Sequence, residues 1–358
     1  MKKRVAVLLG MVLMASSILA GCGGSEDRVA TGDVAGESND KVASVLPENE
    51  ASGTLKTGLA IVTSVSNSAD AGEKDGLAQA DATIAAVTVD EEGKVVACVI
   101  DEAQTKINFT KEGKIATALD SQFQTNQELG EGYGMKSVSS VGKEWNEQAD
   151  AFAAYCVGKT ADEISGIAIT ESGAPEDADL ASSVTMYVGN FQAAVTKAME
   201  NATESGAQAT DKLGLGVVTN IAKSKDAEEE DGLAQAYTTV TAVTVDADGK
   251  ITSSVIDAVQ ANVNFDKTGK ITSDVSAKAP TKNELGDDYG MKSASSIGKE
   301  WYEQAAAYAA YCVGKTAEEV NNTPLEEGAP SDADLASSVT VHVTDFNTII
   351  TKAVETAK

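Results

Sequence analysis

The chain has 358 residues, with 28 Lys and Arg against 55 Asp and Glu, a formal net charge of -27 and 4% aromatic residues. A field of that sign repels nucleic acid and anionic membrane surfaces, which argues against partners of either kind held by surface charge. The one histidine, His342, leaves no zinc-type His/Cys cluster, so a metal site of that kind is not expected.

The chain opens on Lys2, Lys3 and Arg4 and an apolar run from Val5 to Ala20, the pattern of a secretory signal. Leu19-Ala20-Gly21-Cys22 resembles the lipobox of bacterial lipoproteins. The resemblance implies removal of residues 1–21, lipidation of Cys22 and a lipid-anchored protein that does not span the membrane. From Gly23 to about Ser52 the sequence is rich in Gly, Ser, Asp and Glu without apolar periodicity, so residues 22–55 read as a lipidated cysteine and a disordered linker.

An internal repeat follows. Lys56–Glu200 aligns with Lys212–Ala357, with one deletion before Pro330. Two tandem domains, 56–200 and 212–358, joined by a linker at 201–211, are expected, each long enough to fold alone. Within each copy the first half alternates like half-buried strands: Leu59–Val65, Ile84–Asp90, a Gly-containing turn and a further strand. The expected fold class is α+β: in each copy an antiparallel sheet with helices packed on it.

A polar loop ending in Tyr133-Gly134-Met135-Lys136 (Tyr289-Gly290-Met291-Lys292) leads to a helix. Its apolar stripe is Trp145, Ala149, Phe152 and Cys156, closed by Gly158. Thr160-Ala161-Asp162-Glu163 has the form of a capping box, which predicts a second short helix. Cys98 and Cys156 allow a disulfide that repeat 2 cannot match, because Ser254 replaces Cys98, so buried free thiols fit better. Each copy closes with Ala-Asp-Leu-Ala-Ser-Ser-Val-Thr, at Ala178–Thr185 and Ala333–Thr340. Ser183–Val188 reads as a strand with Thr185 on its non-core face, and likewise Thr340. Asn190 or Asp345 then caps a helix with the stripe Phe191, Ala194, Val195 and Ala198 (Phe346, Ile349, Ile350 and Ala353).

Asp179-Leu180-Ala181-Ser182-Ser183-Val184-Thr185 resembles the flavinylation signature of FMN-binding domains, Asp-x-x-Ser/Thr-Gly-Ala-Thr. Asp334 to Thr340, with Ser337 and Ser338, matches in the same way. Ser183-Val184 and Ser338-Val339 stand where the family usually has Gly-Ala. With the lipobox and the tandem copies, the chain is similar to the PplA-type family of flavinylated extracellular electron-transfer lipoproteins of Gram-positive bacteria. The resemblance implies FMN carried on Thr185 and Thr340 through phosphoester bonds, two groups in all. It implies attachment by a separate FAD- and Mg-dependent flavin transferase, with Asp179 and Asp334 helping orientation. It further implies a membrane quinol-linked electron donor, external acceptors such as ferric iron, and a place on the outer face of the cell membrane.

A flavin ring needs an apolar or aromatic wall. Tyr133, Met135, Tyr289 and Met291 are the candidates, with Lys136 and Lys292 near phosphate or ring; packing of the Tyr and Met on the sheet is the competing reading. Trp145 and Trp301 read as core, and Tyr187 or His342 borders the threonine. The function expected is electron transfer rather than autonomous enzymatic catalysis. A non-redox surface lipoprotein that binds a ligand or partner, or a purely structural surface module, stands as the alternative.

Overall fold

Strand lengths here follow from long apolar alternation broken by glycine turns. The computed structural model describes residues 53–358; the signal segment, Cys22 and nearly all of the 22–55 linker lie outside the described residues. Strands β1 (Thr54–Ser64), β2 (Gly76–Val89) and β3 (Val95–Phe109) pair antiparallel in the order β3-β2-β1. Since β1 begins at Thr54, the sheet takes in the last residues of that linker. The β2–β3 hairpin turns on Gly93, whose φ of 78° a side chain would resist.

Helices follow: α1 (Asn126–Leu129), α2 (Trp145–Cys156), α3 (Ala161–Ser165), α4 (Ala178–Ala181) and α5 (Gly189–Glu200). Repeat 2 gives β5 (Lys212–Asn220), β6 (Gly232–Val245), β7 (Ile251–Phe265), α6 (Lys282–Leu285), α7 (Trp301–Cys312) and α8 (Ala317–Asn321). A two-residue hairpin (β8 Leu325–Glu326, β9 Ala329–Pro330), α9 (Ala333–Ala336) and α10 (Thr344–Thr356) complete it. The segment 201–211, expected as a linker, contains strand β4 (Thr203–Gln208), which adds to the free edge of β1.

The architecture is α+β, with antiparallel sheets and helices packed on them. Helices α2 and α5 cover one face of the first sheet, where Trp145, Phe152, Phe191 and Val195 meet Ala85, Val87 and Ile100. Helices α7 and α10 do the same for the second sheet. The other two sheet faces pack on each other: Leu59, Ile61, Ile84 and Ala86 against Leu213, Leu215, Val217 and Val240. The central strands are therefore buried on both faces, not half-buried as their alternation suggests; Ile84, Ala85, Ala86 and Val87 are each 0% exposed. Each face of β2 mixes alanine and threonine with larger residues, Ile84 on one and Val87 and Val89 on the other.

The contact between repeats is reciprocal. Ala71 N–H donates to Gly269 O (2.8 Å) and Ala227 N–H to Gly113 O (2.7 Å). Asp226 accepts from Ile115 N–H and Asp70 from Ile271 N–H, both at 2.8 Å. Phe109 and Phe265 stack where these contacts cross, with ring centroids 4.2 Å apart and planes 9° from parallel. Lys197 pairs with Glu284 (2.7 Å) and Lys352 with Glu128 (2.6 Å). Cys98, Cys156 and Cys312 are free, and burial pushes the Cys156 and Cys312 thiols up to about 12, which makes them poor nucleophiles. Among the described residues no helix is long and apolar enough to cross a membrane.

Candidate functional site

The segment around each threonine is not a strand. Asp177 caps α4 by accepting from Leu180 N–H (2.9 Å), and Val184 N–H returns to Leu180 O (2.9 Å), so the chain leaves α4 as a tight turn. Leu180 and Val184 are both buried, which fixes the turn from its apolar side. The peptide N–H of Thr185 then donates to Gln148 Oε1 at 2.8 Å, the place a strand partner would have taken. Three residues on, Val188 N–H donates to Gly173 O (2.9 Å). Repeat 2 does the same, with Thr340 N–H on Gln304 Oε1 (2.8 Å) and Val343 N–H on Gly328 O (2.7 Å). Helix α5 is likewise not capped by Asn190, nor α10 by Asp345; the capping positions are Val188 and Val343, without a side-chain cap.

The expectation that the threonines stay outside the packed core holds in another form. Thr185 and Thr340 are half-buried, and their hydroxyls lie 3.4 and 3.2 Å from the same glutamine oxygens. Gln148 and Gln304 are themselves fully buried. Each amide nitrogen is spent locally: Gln148 donates to Ser139 Oγ and Lys143 O (both 3.2 Å), and Gln304 to Ser295 Oγ (3.2 Å) and Lys299 O (3.1 Å). That leaves the amide oxygen aimed at the threonine. An acceptor lying near the hydroxyl can orient its proton but, as a neutral amide, cannot remove it.

These glutamines were missed in the sequence, although a signal was there. Gln148 falls three residues after Trp145 and one before Ala149, inside the apolar stripe of α2, and Gln304 repeats it. A polar side chain on a buried helix face needs partners of its own.

The Tyr-Gly-Met-Lys loop is fixed to the same helix. Glu144, 4% exposed at the N-cap of α2, accepts from Met135 N–H (2.8 Å); Glu300 accepts from Met291 N–H and Lys292 N–H (both 2.8 Å). Met135 Sδ lies 3.3 Å from Gln148 Nε2, and the Tyr133 ring 6.3 Å from Trp145. So the structure gathers Thr185, Met135, Tyr133 and Trp145 around Gln148. The loop before them, read as irregular, holds α1 and α6, each closed by a capping box (Thr125/Glu128, Thr281/Glu284).

In repeat 2 a cleft of ≈ 430 Å³ opens beside Thr340, floored by Tyr289, Met291, Trp301 and Phe346 and bordered by Val341 and His342. Its size and mixture of aromatic and polar walls suit a planar aromatic ligand. Two buried polar atoms among its lining residues, Gln235 Oε1 and Thr239 Oγ1, have no protein partner. Trp301 is both core and wall: it is 3% exposed, yet it lines the cleft.

The buried lysine of this cleft is Lys282, the first residue of α6; Lys223, also on its lining, is exposed, as are Lys136 and Lys292. Lys282 Nζ lies 4.6, 4.5 and 4.7 Å from the ring centres of Tyr237, Tyr289 and Trp301 and donates to Tyr237 Oη (3.0 Å). Burial lowers it to about 8, while Asp257 opposes the shift. Comparison of the two repeats passes over this residue because Asn126 occupies its place in repeat 1.

The remaining expected residues are arranged differently. Asp179 and Asp334 are exposed on their short helices, and their contribution to the turn is through the backbone: Ser182 Oγ donates to Asp179 O and Ser337 Oγ to Asp334 O, each at 2.6 Å. Neither carboxylate is hydrogen-bonded to the threonine. Of the described non-glycine residues Glu327 alone has a positive φ, so Ser183 and Ser338 keep ordinary backbone and nothing in the turn requires the family's glycine. Tyr187 is exposed and lies over Gly173, where any β-carbon would overlap its ring.

No family model matches the chain, and no solved structure matches it. It is 41% identical over 73 residues to a protein named chlorophenol reductase from Desulfitobacterium hafniense, a match covering 17% of this chain and 22% of that relative. The match thus reaches less than a quarter of the relative's length.

Proposed function

We propose that this chain is a lipid-anchored electron carrier on the outer face of a bacterial membrane, built from two copies of an FMN-binding-like domain (56–200 and 212–358). Thr185 and Thr340 would each carry FMN, with residues 1–21 removed and Cys22 lipidated. The observation that carries the reading is a threonine held by a buried glutamine, its next two residues, Val341 and His342, lining an aromatic cleft.

In attachment, each threonine Oγ would bond to the FMN-side phosphorus of FAD as the pyrophosphate P–O bond breaks. AMP leaves, and the hydroxyl proton passes to a base of the flavin transferase. Gln148 and Gln304 pin the peptide N–H, so the hydroxyl is presented from a fixed backbone. FMN, once bound, supplies reversible electron uptake, and the protein's part is to position it and tune its surroundings. A covalent link suits a carrier outside the cell, where a dissociated flavin diffuses away. The donor is of the membrane quinol class and the acceptor an external oxidant such as ferric iron.

The test is intact mass after co-expression with a flavin transferase, for the native chain and for Thr185→Ala, Thr340→Ala and the double variant. Two additions of FMN less water, falling to one and then none, are expected. No addition, with a transferase active on another target, would end this reading and leave a non-redox ligand-binding lipoprotein in its place.

A further inference from the structure

The two repeats keep the threonine and its glutamine but line the neighbouring space with opposite charge. At three positions repeat 2 has Tyr237, Ala258 and Lys282 where repeat 1 has Asp81, Glu102 and Asn126, while Lys223 and Asp345, which also line the repeat 2 cleft, replace Asn67 and Asn190 with one charge of each sign. The strand registers match, Thr239 standing opposite Ala258 and Thr83 opposite Glu102, so the exchange is of side chains on one backbone.

Lys282 is 5% exposed, enclosed by three aromatic rings, and among the described residues no carboxylate lies within ion-pairing distance of it. A buried cation without a counterion is costly unless a ligand supplies the negative charge. Repeat 1 is the reverse. Asp81 and Glu102 are near enough that both push the Tyr133 phenol up, after burial itself. Glu102 is raised to about 7, by burial first and by Asp81 second. Asn126, 1% exposed, has neither its amide nitrogen nor its oxygen hydrogen-bonded.

We infer that the two sites hold the same redox group at different potentials, Thr340's above Thr185's, so that electrons pass from repeat 1 to repeat 2. This rests on the flavin reading. Uptake of two electrons and one proton, the electrons coming from the quinol-class donor, leaves one added negative charge on the ring system at neutral pH. Lys282 stabilises that charge at close range, and Asp81 and Glu102 oppose it. The direction of transfer is then built into the charged groups near each threonine and does not depend on the threonines.

The experiment uses the full chain loaded by the transferase. Thr340→Ala leaves only the repeat 1 flavin and Thr185→Ala only that of repeat 2, each verified by mass as one addition. Spectroelectrochemical titration then reads the two midpoints separately. At a common applied potential the reduced-to-oxidised ratio is expected to be at least about tenfold higher in repeat 2. Lys282→Gln should lower the repeat 2 midpoint. Asn126→Lys should raise that of repeat 1, and serves where Lys282→Gln loses its fold. As a readout separate from the midpoints, the NMR titration of Lys282 Nζ should move up on reduction in the Thr185→Ala protein. One flavin per variant with coincident or reversed midpoints would overturn the inference and leave the flavin reading standing. Absence of any mass addition would overturn both, at the earlier step.

Discussion

The two repeats differ in an instructive way. Around the threonine they agree in detail: the same buried glutamine, the same 2.8 Å contact to the peptide N–H and the same buried glutamate anchoring the methionine loop. On the neighbouring sheet and short helix they disagree in charge, with Asp81, Glu102 and Asn126 in one and Tyr237, Ala258 and Lys282 in the other. What is common to both sites therefore resides in how the threonine is held, and what is individual resides in the sheet and α1 or α6 beneath it. Equivalent changes in the shared parts should act alike in kind in both repeats, and changes at the differing positions should act in opposite directions.

The largest equal effect should come from the contact between sheets. Phe109 and Phe265 are 0% exposed and stacked on each other across the repeats. Phe109→Ala and Phe265→Ala should each cost about 3–5 kcal/mol in denaturant unfolding, because each leaves a cavity beside the surviving ring. The double variant should cost less than the sum, since one stack is lost in both. Additive costs would mean that the two halves are not coupled through this contact.

An unequal effect is expected with pH. Burial raises Asp101 to about 7 and Glu102 to about 7 in repeat 1, and Asp257 to about 6 in repeat 2. A carboxyl raised in the folded state binds its proton more tightly there than when unfolded. Its stabilisation is complete below the ordinary carboxylate range near 4 and is lost as pH rises to about 7. Stability should therefore rise on acidification from pH 8 to 5, by an amount on the order of 6 kcal/mol for the three carboxyls together. Asp101→Asn should flatten this profile more than Asp257→Asn. A profile of the opposite slope, or equal flattening, would break the comparison.

Strands, hairpin turns and the long helices were legible because each rests on local periodicity or a glycine turn. Trp145, Phe152 and Phe191 could be read as core from spacing alone, and Thr160 as a cap from its partner Glu163. The threonine segment was misread as a strand because Val184, Met186 and Val188 alternate. Local alternation does not reveal that Asp177 starts a helix at Ala178 or that a helix glutamine takes the Thr185 N–H. Burial of β2 on both faces was equally hidden, because it depends on the other repeat. Lys282 was invisible for a different reason: its charge appears once, and its position beneath Tyr289 and Trp301 is set by a capping box in what looked like loop.

The smallest of these effects bears most directly on the site. Gln148→Ala removes the acceptor of Thr185 N–H, and Gln304→Ala removes that of both Thr340 N–H and Val341 N–H, the latter at 3.2 Å. Leaving such donors unmatched costs about 1–3 kcal/mol, so both variants should be destabilised, Gln304→Ala by about 1 kcal/mol more. Because the glutamine fixes the backbone and not the hydroxyl alone, each variant should also lose flavin addition at its own threonine while the other site loads normally. Mass of the loaded protein beside its denaturant midpoint separates the two outcomes. Destabilisation with full loading at both threonines would show that the glutamine serves the fold only, and that the transferase shapes the segment for itself.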